Sequence, residues 1–273
     1  MFSIYYRGNG QRVGMPYQVK AGSVTATLAV TAAALAFFLY GSKARATYVA
    51  AIFSDDTIVI GADSLITTTD QLPVSDSFCK VVVLDNKTGF VGLGAAVYPL
   101  STGEVVRTFD LVRTSAAPTV PETVRRFAEV VVSKLNSPPP GREPPWFNPF
   151  LIGLFGGFGE RETPMFANVT ISYDNTRDIF LYSPPQTHFN AENIIVLSYP
   201  EATREIVDSA EFKRIKENRD NPERLAKTVQ FLIDAVIKRK VSVEVGGVPT
   251  VLIIEKGRRP RWYSKAKDCP NLE

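Results

Sequence analysis

The sequence predicts an α+β fold in which antiparallel sheets are covered by paired helices. Three observations carry this expectation. Hydrophobic residues make up 45% and charged residues 22% of the 273-residue chain, the balance of a globular protein with a core to bury. Apolar runs of strand length come in pairs joined by short polar turns. Strands and helices then follow one another in blocks, without the strict βαβ alternation of a parallel sheet. The length fits two domains or one large layered domain, and no internal repeat is visible.

The elements run in order from Thr47. Thr47-Tyr-Val-Ala-Ala-Ile-Phe53 reads as a strand, Ser54-Asp55-Asp56 as a hairpin turn, and 57–62 as the returning strand. Lys80–Leu84, the turn Asp85–Thr88 and Gly89–Gly94 form a second hairpin. Helices are expected at 97–114 and Pro121–Leu135. In the latter, Val124, Phe127, Val130, Val131 and Leu135 share one face, and Thr119 stands as the cap with Glu122 three residues on. The run 137–145 is rich in proline, stiff and extended. Its ordinary reading is a surface connection; a proline-rich ligand is the sharper alternative. Strands follow at 150–156, 165–173, 178–183 and 193–198, helices at 201–217 and Pro222–Lys238, and final strands at 248–255 and 259–263.

Charge is uneven along the chain. Residues 1–46 carry Arg7, Arg12, Lys20, Lys43 and Arg45 and no Asp or Glu, although the whole chain has a net charge of only +3. Between Lys20 and Lys43 every residue is uncharged, and the segment ends in the small-x-small pattern Ala44-Arg45-Ala46. A basic start, an apolar stretch and such an end form the plan of a secretory signal cleaved before Thr47, with Met15 as an alternative start. Two other readings stay open. Residues 21–42 are long enough to remain as a membrane anchor, and the segment also fits a non-secretory propeptide. Lys43 and Arg45 beyond the apolar run weigh against export. The expected division is therefore a leader at 1–46 and one domain at 47–273. The location follows from it: secreted or periplasmic if the leader is removed, membrane-attached only through the leader if it is not.

Composition excludes several chemistries. One histidine, His188, and two cysteines, Cys79 and Cys269, cannot build a Cys₄, Cys₂His₂ or His₃ zinc site within one chain. No metal and no cofactor are expected, and a net charge of +3 gives no ground for nucleic acid. The cysteines allow at most one bridge, which nothing in their spacing demands; Cys79 reads as a small buried hydrophobe. His188, in Pro-Gln-Thr-His-Phe, reads as a loop residue without catalytic duty. An enzyme with this composition finds its base elsewhere.

The segment Thr47-Tyr-Val-Ala-Ala-Ile, Ile58-Val-Ile-Gly-Ala-Asp-Ser64, Lys80-Val and Gly89-Phe-Val-Gly-Leu-Gly-Ala-Ala96 resembles the start of a mature proteasome β-subunit, one of the N-terminal-nucleophile hydrolases. The family opens on its nucleophilic threonine and places an aspartate sixteen residues later; Thr47 and Asp63 have that spacing. The family lysine lies thirty-two after the threonine, where this chain has Cys79, with Lys80 next to it. A loop one residue longer through Thr67–Phe78 restores the match. Fourteen residues past Lys80 stands Gly94, the spacing of the family's oxyanion-hole glycine. The closing Gly-Gly element appears as Gly246-Gly247, but Ser242 and Val245 replace the expected aspartate and serine, and Leu197-Ser198-Tyr199 replaces a Gly-Ser-Gly segment.

The resemblance implies a four-layer αββα sandwich and a threonine-type amide hydrolase, foremost a proteasome-like peptidase acting outside the cytoplasm after leader removal. Thr47 would be the nucleophile and its free α-amine, with an ordinary pKa of about 7.7–8.0, the base. Lys80 would hold that amine deprotonated, Asp63 would compensate and orient Lys80, and the Gly94 N–H would stabilise the oxyanion. Each also has a plain structural reading: Thr47 as a β-former, Asp63 as an Asx turn, Lys80 as a solvated strand-start charge, Gly94 as a strand bend. The implied partners are a peptide or amide substrate and further copies of the chain in a ring. Two other functions stay open: a small-amide acylase of the same fold, and a non-catalytic ring-forming or binding protein that keeps it.

Overall fold

The computed structural model describes residues 47–67, 73–84, 87–94, 96–100, 102, 104–137, 148–159, 162–188, 194–197, 200–216, 221–242 and 245–272. The leader at 1–46 lies outside the described residues, as does most of the proline-rich run. Among the described residues, no helix is long and apolar enough to cross a membrane.

The fold is α+β with antiparallel sheets. A five-stranded sheet holds β1 (Val49–Phe53), β2 (Thr57–Ala62), β13 (Ile195–Leu197), β14 (Thr250–Glu255) and β15 (Arg261–Ser264) in the order β13-β1-β2-β14-β15. A six-stranded sheet holds β5 (Val81–Val83), β6 (Gly89–Gly94), β9 (Leu151–Phe158), β10 (Pro164–Asp174) and β11 (Ile179–Tyr182) in the order β11-β10-β9-β6-β5. Its sixth strand, β12 (Gln186–His188), pairs with β10.

Two-residue periodicity sorts the strand side chains onto opposite faces. Val49, Ala51 and Phe53 of β1, Ile58 and Ile60 of β2, and Leu252 and Ile254 of β14 pack against Val91, Leu93, Ile152, Leu154 and Phe166 of the six-stranded sheet. The alternate residues Tyr48, Ala50, Ile52, Val59, Val251 and Ile253 pack instead against Val229, Leu232, Ile233 and Val236. These four belong to α5 (Pro222–Lys238), which lies beside α3 (Pro200–Val207) and α4 (Ala210–Lys216). On the six-stranded sheet, Phe90, Phe155, Ala167, Val169 and Ile171 meet Val124, Phe127, Val131 and Leu135 of α2 (Val120–Asn136), preceded by α1 (Thr108–Arg113). A ring cluster holds this contact together, with Phe90 centroids 5.2 Å from Phe127 and 4.8 Å from Phe155.

The helix caps follow from sequence. Thr119 Oγ1 accepts from the Glu122 N–H at 3.3 Å and donates to the Glu122 carboxylate at 3.0 Å, with Pro121 in the first turn. Asn221 caps α5 by accepting from the Glu223 N–H at 2.9 Å.

Three expectations need correction. The helix expected at 97–114 is mostly a hairpin, β7 (Val97–Pro99) and β8 (Val105–Arg107), with only α1 helical. The period there is two: Val97 and Val105 are exposed, while Val106 is buried and Tyr98 sets its ring edge on Phe150 and Phe180. The helix expected at 201–217 breaks into α3 and α4. Ser209 Oγ donates to the Ile206 carbonyl at 2.6 Å and accepts from the Phe212 N–H at 3.2 Å, closing one helix and opening the next. The loop expected between 67 and 78 contains a short hairpin of β3 (Ile66–Thr67) and β4 (Pro73–Ser75).

Candidate active site

The antiparallel register of β1 on β2, with Val49 opposite Ala62, sets the start of one strand beside the end of the other. Tyr48, the residue after Thr47, therefore meets Asp63. The Asp63 carboxylate is fully buried and accepts three hydrogen bonds: from the Tyr48 N–H on Oδ1 at 2.8 Å, and from Lys80 Nζ at 3.1 Å and the Gly246 N–H at 3.2 Å on Oδ2. The Asp63 N–H in turn donates to the Tyr48 carbonyl at 3.3 Å. Thr47 and Lys80 are each 3% exposed.

This arrangement selects among the sequence readings. Asp63 is not a solvent-side Asx turn, and Lys80 is not a solvated strand-start charge: the two form a salt bridge with side chains 0% and 3% exposed. Burial pushes the Asp63 carboxyl above its ordinary range, opposed by the Lys80 charge and by the hydrogen bonds from Tyr48, Gly246 and Lys80. An ammonium in water shields such a carboxylate weakly; inside the protein the same pair interacts far more strongly, and neither partner is readily removed.

The Gly246-Gly247 turn is clasped to the same spot. The Ser64 and Leu65 N–H groups donate to the Gly246 carbonyl at 3.2 and 3.1 Å. Ser64 Oγ accepts from the Val248 N–H at 2.8 Å and donates to the Asp76 carbonyl. Gly247 has φ +73°, and a Cβ there would run into the Asp76 carbonyl and Ser64 Oγ. Ser64 thus ties together the end of β2, the segment before Lys80 and the turn before β14. Its value as a clasp was not legible beyond its place next to Asp63 in the Ala-Asp-Ser run.

Gly94 ends β6 opposite Leu151. Its φ of +121° and the Phe150 carbonyl, which a Cβ would strike, demand glycine on backbone grounds. Gly94→Ala is expected to destabilise the fold by about 1–3 kcal/mol, the usual scale of strain at such φ values. Urea unfolding of the variant checks this; an unchanged midpoint would mean that the strand relaxes freely around residue 94.

The remaining candidates separate. Cys79 is not a lone buried hydrophobe: it forms a disulfide with Cys269, 190 residues away in sequence, and among the described residues no cysteine is free. His188 lies in strand β12 rather than in a loop, and its Nε2 is 2.7 Å from Asn168 Oδ1. Burial holds the imidazole below its ordinary pKa. Val245 packs into the apolar cluster beneath α5, and its N–H donates to the Ser242 carbonyl at 3.4 Å. Ser198 and Tyr199 lie outside the described residues. Among the described residues, no group of three or more His, Cys, Asp and Glu side chains is placed to hold a metal ion.

No family model matches the sequence, and no curated protein matches it. A solved structure, the Anbu (Gly-1) mutant from Hyphomicrobium sp. strain MC1, is similar to this chain with a TM-score of 0.49 and 14% identity. The likeness covers 82% of this chain and 88% of that one. At that score and identity it assigns no activity here.

Proposed function

We propose that the chain is an N-terminal-threonine amide hydrolase built as a four-layer αββα sandwich, similar to proteasome β-subunits, and that its substrate is a peptide. One observation carries the reading. A single buried carboxylate, Asp63, joins the backbone N–H of the residue after Thr47 to the Lys80 ammonium. What supports the proposed roles is chain position: Thr47 precedes β1, Asp63 follows β2 and Lys80 precedes β5, strands of two different sheets.

In the proposed reaction the free α-amine of Thr47 takes the proton of its own hydroxyl as Oγ attacks the amide carbonyl. The oxyanion that forms is met by the Gly94 N–H. Collapse expels the amine leaving group, which receives the proton, and water then hydrolyses the ester. Nothing proceeds while Thr47 nitrogen is acylated by Ala46, so cleavage of that bond is a requirement of the reading. A disulfide that persists is a feature of oxidising compartments, which supports action outside the cytoplasm. Ring assembly of identical copies belongs to the same proposal.

Val245 favours a second reading, a non-catalytic binding or ring-forming relative. It buries an aliphatic side chain where the resemblance calls for a hydroxyl. Covalent labelling separates the two. Protein from its native host, treated with a peptide epoxyketone, is expected to show by intact mass a chain beginning at Thr47 and carrying one adduct. A processed chain that never forms the adduct favours the non-catalytic reading, and a chain that keeps residues 1–46 removes the proposed base.

A further inference from the structure

The Asp63–Lys80 pair spans two sheets. Asp63 follows β2 of the five-stranded sheet, whereas Lys80 precedes β5, the edge strand of the six-stranded one. The ladder of β5 on β6 begins only at Val81, opposite Val91, so residues 79 and 80 stand ahead of the paired strand. A lysine on a four-carbon stem in that position has many rotamers, and the backbone beneath it must be held by something else.

Cys79, the residue before Lys80, is covalently bonded to Cys269. Cys269 closes a turn in which its N–H donates to the Ala266 carbonyl at 3.1 Å. That turn is tied to the five-stranded sheet: the Ala266 N–H donates to Thr250 Oγ1 of β14 at 3.1 Å, and Trp262 Nε1 of β15 donates to the Pro270 carbonyl at 2.8 Å. Asp268 adds two contacts on the same segment, its N–H to the Ser77 carbonyl at 3.2 Å and its carboxylate accepting from Ser77 Oγ at 3.0 Å.

We propose that the Cys79–Cys269 disulfide is a positioning element for Lys80, fastening the backbone under the lysine to the sheet that carries Thr47 and Asp63. The bridge acts through Lys80 and touches no substrate. Its catalytic consequence rests on the amide-hydrolase reading above; the placement of Lys80 does not. With the bridge closed, the ammonium has one short path to Asp63. With it open, residues 77 and 78 keep the Ser77–Asp268 hydrogen bonds and the Phe78 N–H on the Ser64 carbonyl at 3.2 Å, but the backbone next to Lys80 loses its covalent tie to the turn at Cys269.

The test compares the processed wild-type chain with the Cys79→Ser/Cys269→Ser variant, both confirmed folded by near-ultraviolet circular dichroism. Brief treatment with acetic anhydride and peptide mass mapping reads the acylation of Lys80 against the exposed Lys87 and Lys240. Opening the bridge is expected to raise relative Lys80 acylation at least about tenfold, and to lower kcat on a peptide amide by a similar factor with KM little changed. A folded variant with Lys80 still protected, or with kcat intact, overturns the proposal. If the variant does not fold, the same readings are taken on wild-type protein reduced with a phosphine in the cold. Global unfolding on reduction makes the bridge a staple for the whole domain, and also overturns it. A wild-type chain that is processed but inert, with Lys80 exposed on opening, sinks the hydrolase reading and leaves the positioning of Lys80 supported.

Discussion

Thr47→Ala, in a chain made to begin at residue 47 by release from a cleavable fusion, is expected to lower amide hydrolysis by at least about 10³-fold. Alanine keeps the α-amine, and so the base, but removes the hydroxyl oxygen that attacks the carbonyl in the proposed reaction. Stability should hardly change. Thr47 lies two residues before β1, and a typical hydroxyl hydrogen bond is worth only about 1 kcal/mol. Thr47→Ser keeps an attacking oxygen and should retain measurable turnover, whereas an acetylated Thr47 keeps the hydroxyl, loses the base and should be as inactive as the alanine variant. His188→Gln serves as the control for a histidine base. The imidazole sits on β12 against Asn168, and its removal should leave activity intact. Turnover within tenfold of wild type from Thr47→Ala would place the nucleophile elsewhere.

The residues that could be read from sequence are those whose reason is local. Val49–Phe53 and Thr57–Ala62 are β-branched and aliphatic runs around a polar turn, and both are strands of the expected hairpin. Thr119 and Glu122 form their helix cap because both partners lie within one turn. The failures come where tertiary contacts decide. Val97 to Val106 has the apolar content of a helix, yet Tyr98 finds a ring pocket under Phe150 and Phe180 that only a strand can present on alternate residues. Lys80 at a strand start has every local feature of a solvated charge, yet it is buried against Asp63, seventeen residues away. The Cys79–Cys269 bridge spans 190 residues, and no pattern within either neighbourhood announces it. The spacing of Asp63 and Lys80 and the Gly246-Gly247 element could be read from sequence, while the Gly246 N–H on Asp63 and the Ser64 clasp on that turn appear only once the chain is folded.

The buried pair sets the largest expected change in stability. Lys80→Met replaces the ammonium with an apolar side chain of similar length and leaves Asp63 without its compensating charge. At pH 8 this is expected to destabilise the fold by about 3–5 kcal/mol, the scale for breaking a buried ion pair from one side. The loss should shrink in acid. Burial already raises the Asp63 carboxyl above its ordinary value, and removing Lys80 removes the first of the influences that oppose that rise. A carboxyl raised in the folded state binds its proton more tightly there than in the unfolded chain, where it titrates near about 3.9. Stability therefore grows as pH falls through the folded value toward the unfolded one, and the variant, with the higher folded value, gains more than wild type. Asp63→Asn breaks the pair from the other side and leaves a buried ammonium, so its loss should not be recovered in acid. In the double variant Lys80→Met/Asp63→Asn neither charge is left unpaired, and its loss should be smaller than the sum of the two single losses. Urea unfolding of the three variants at pH 8 and pH 5 reads all of this. Equal losses for Lys80→Met at both pH values would mean that Asp63 stays ionised without its partner, and that hydrogen bonds from Tyr48 and Gly246, not Lys80, hold the carboxylate in the core.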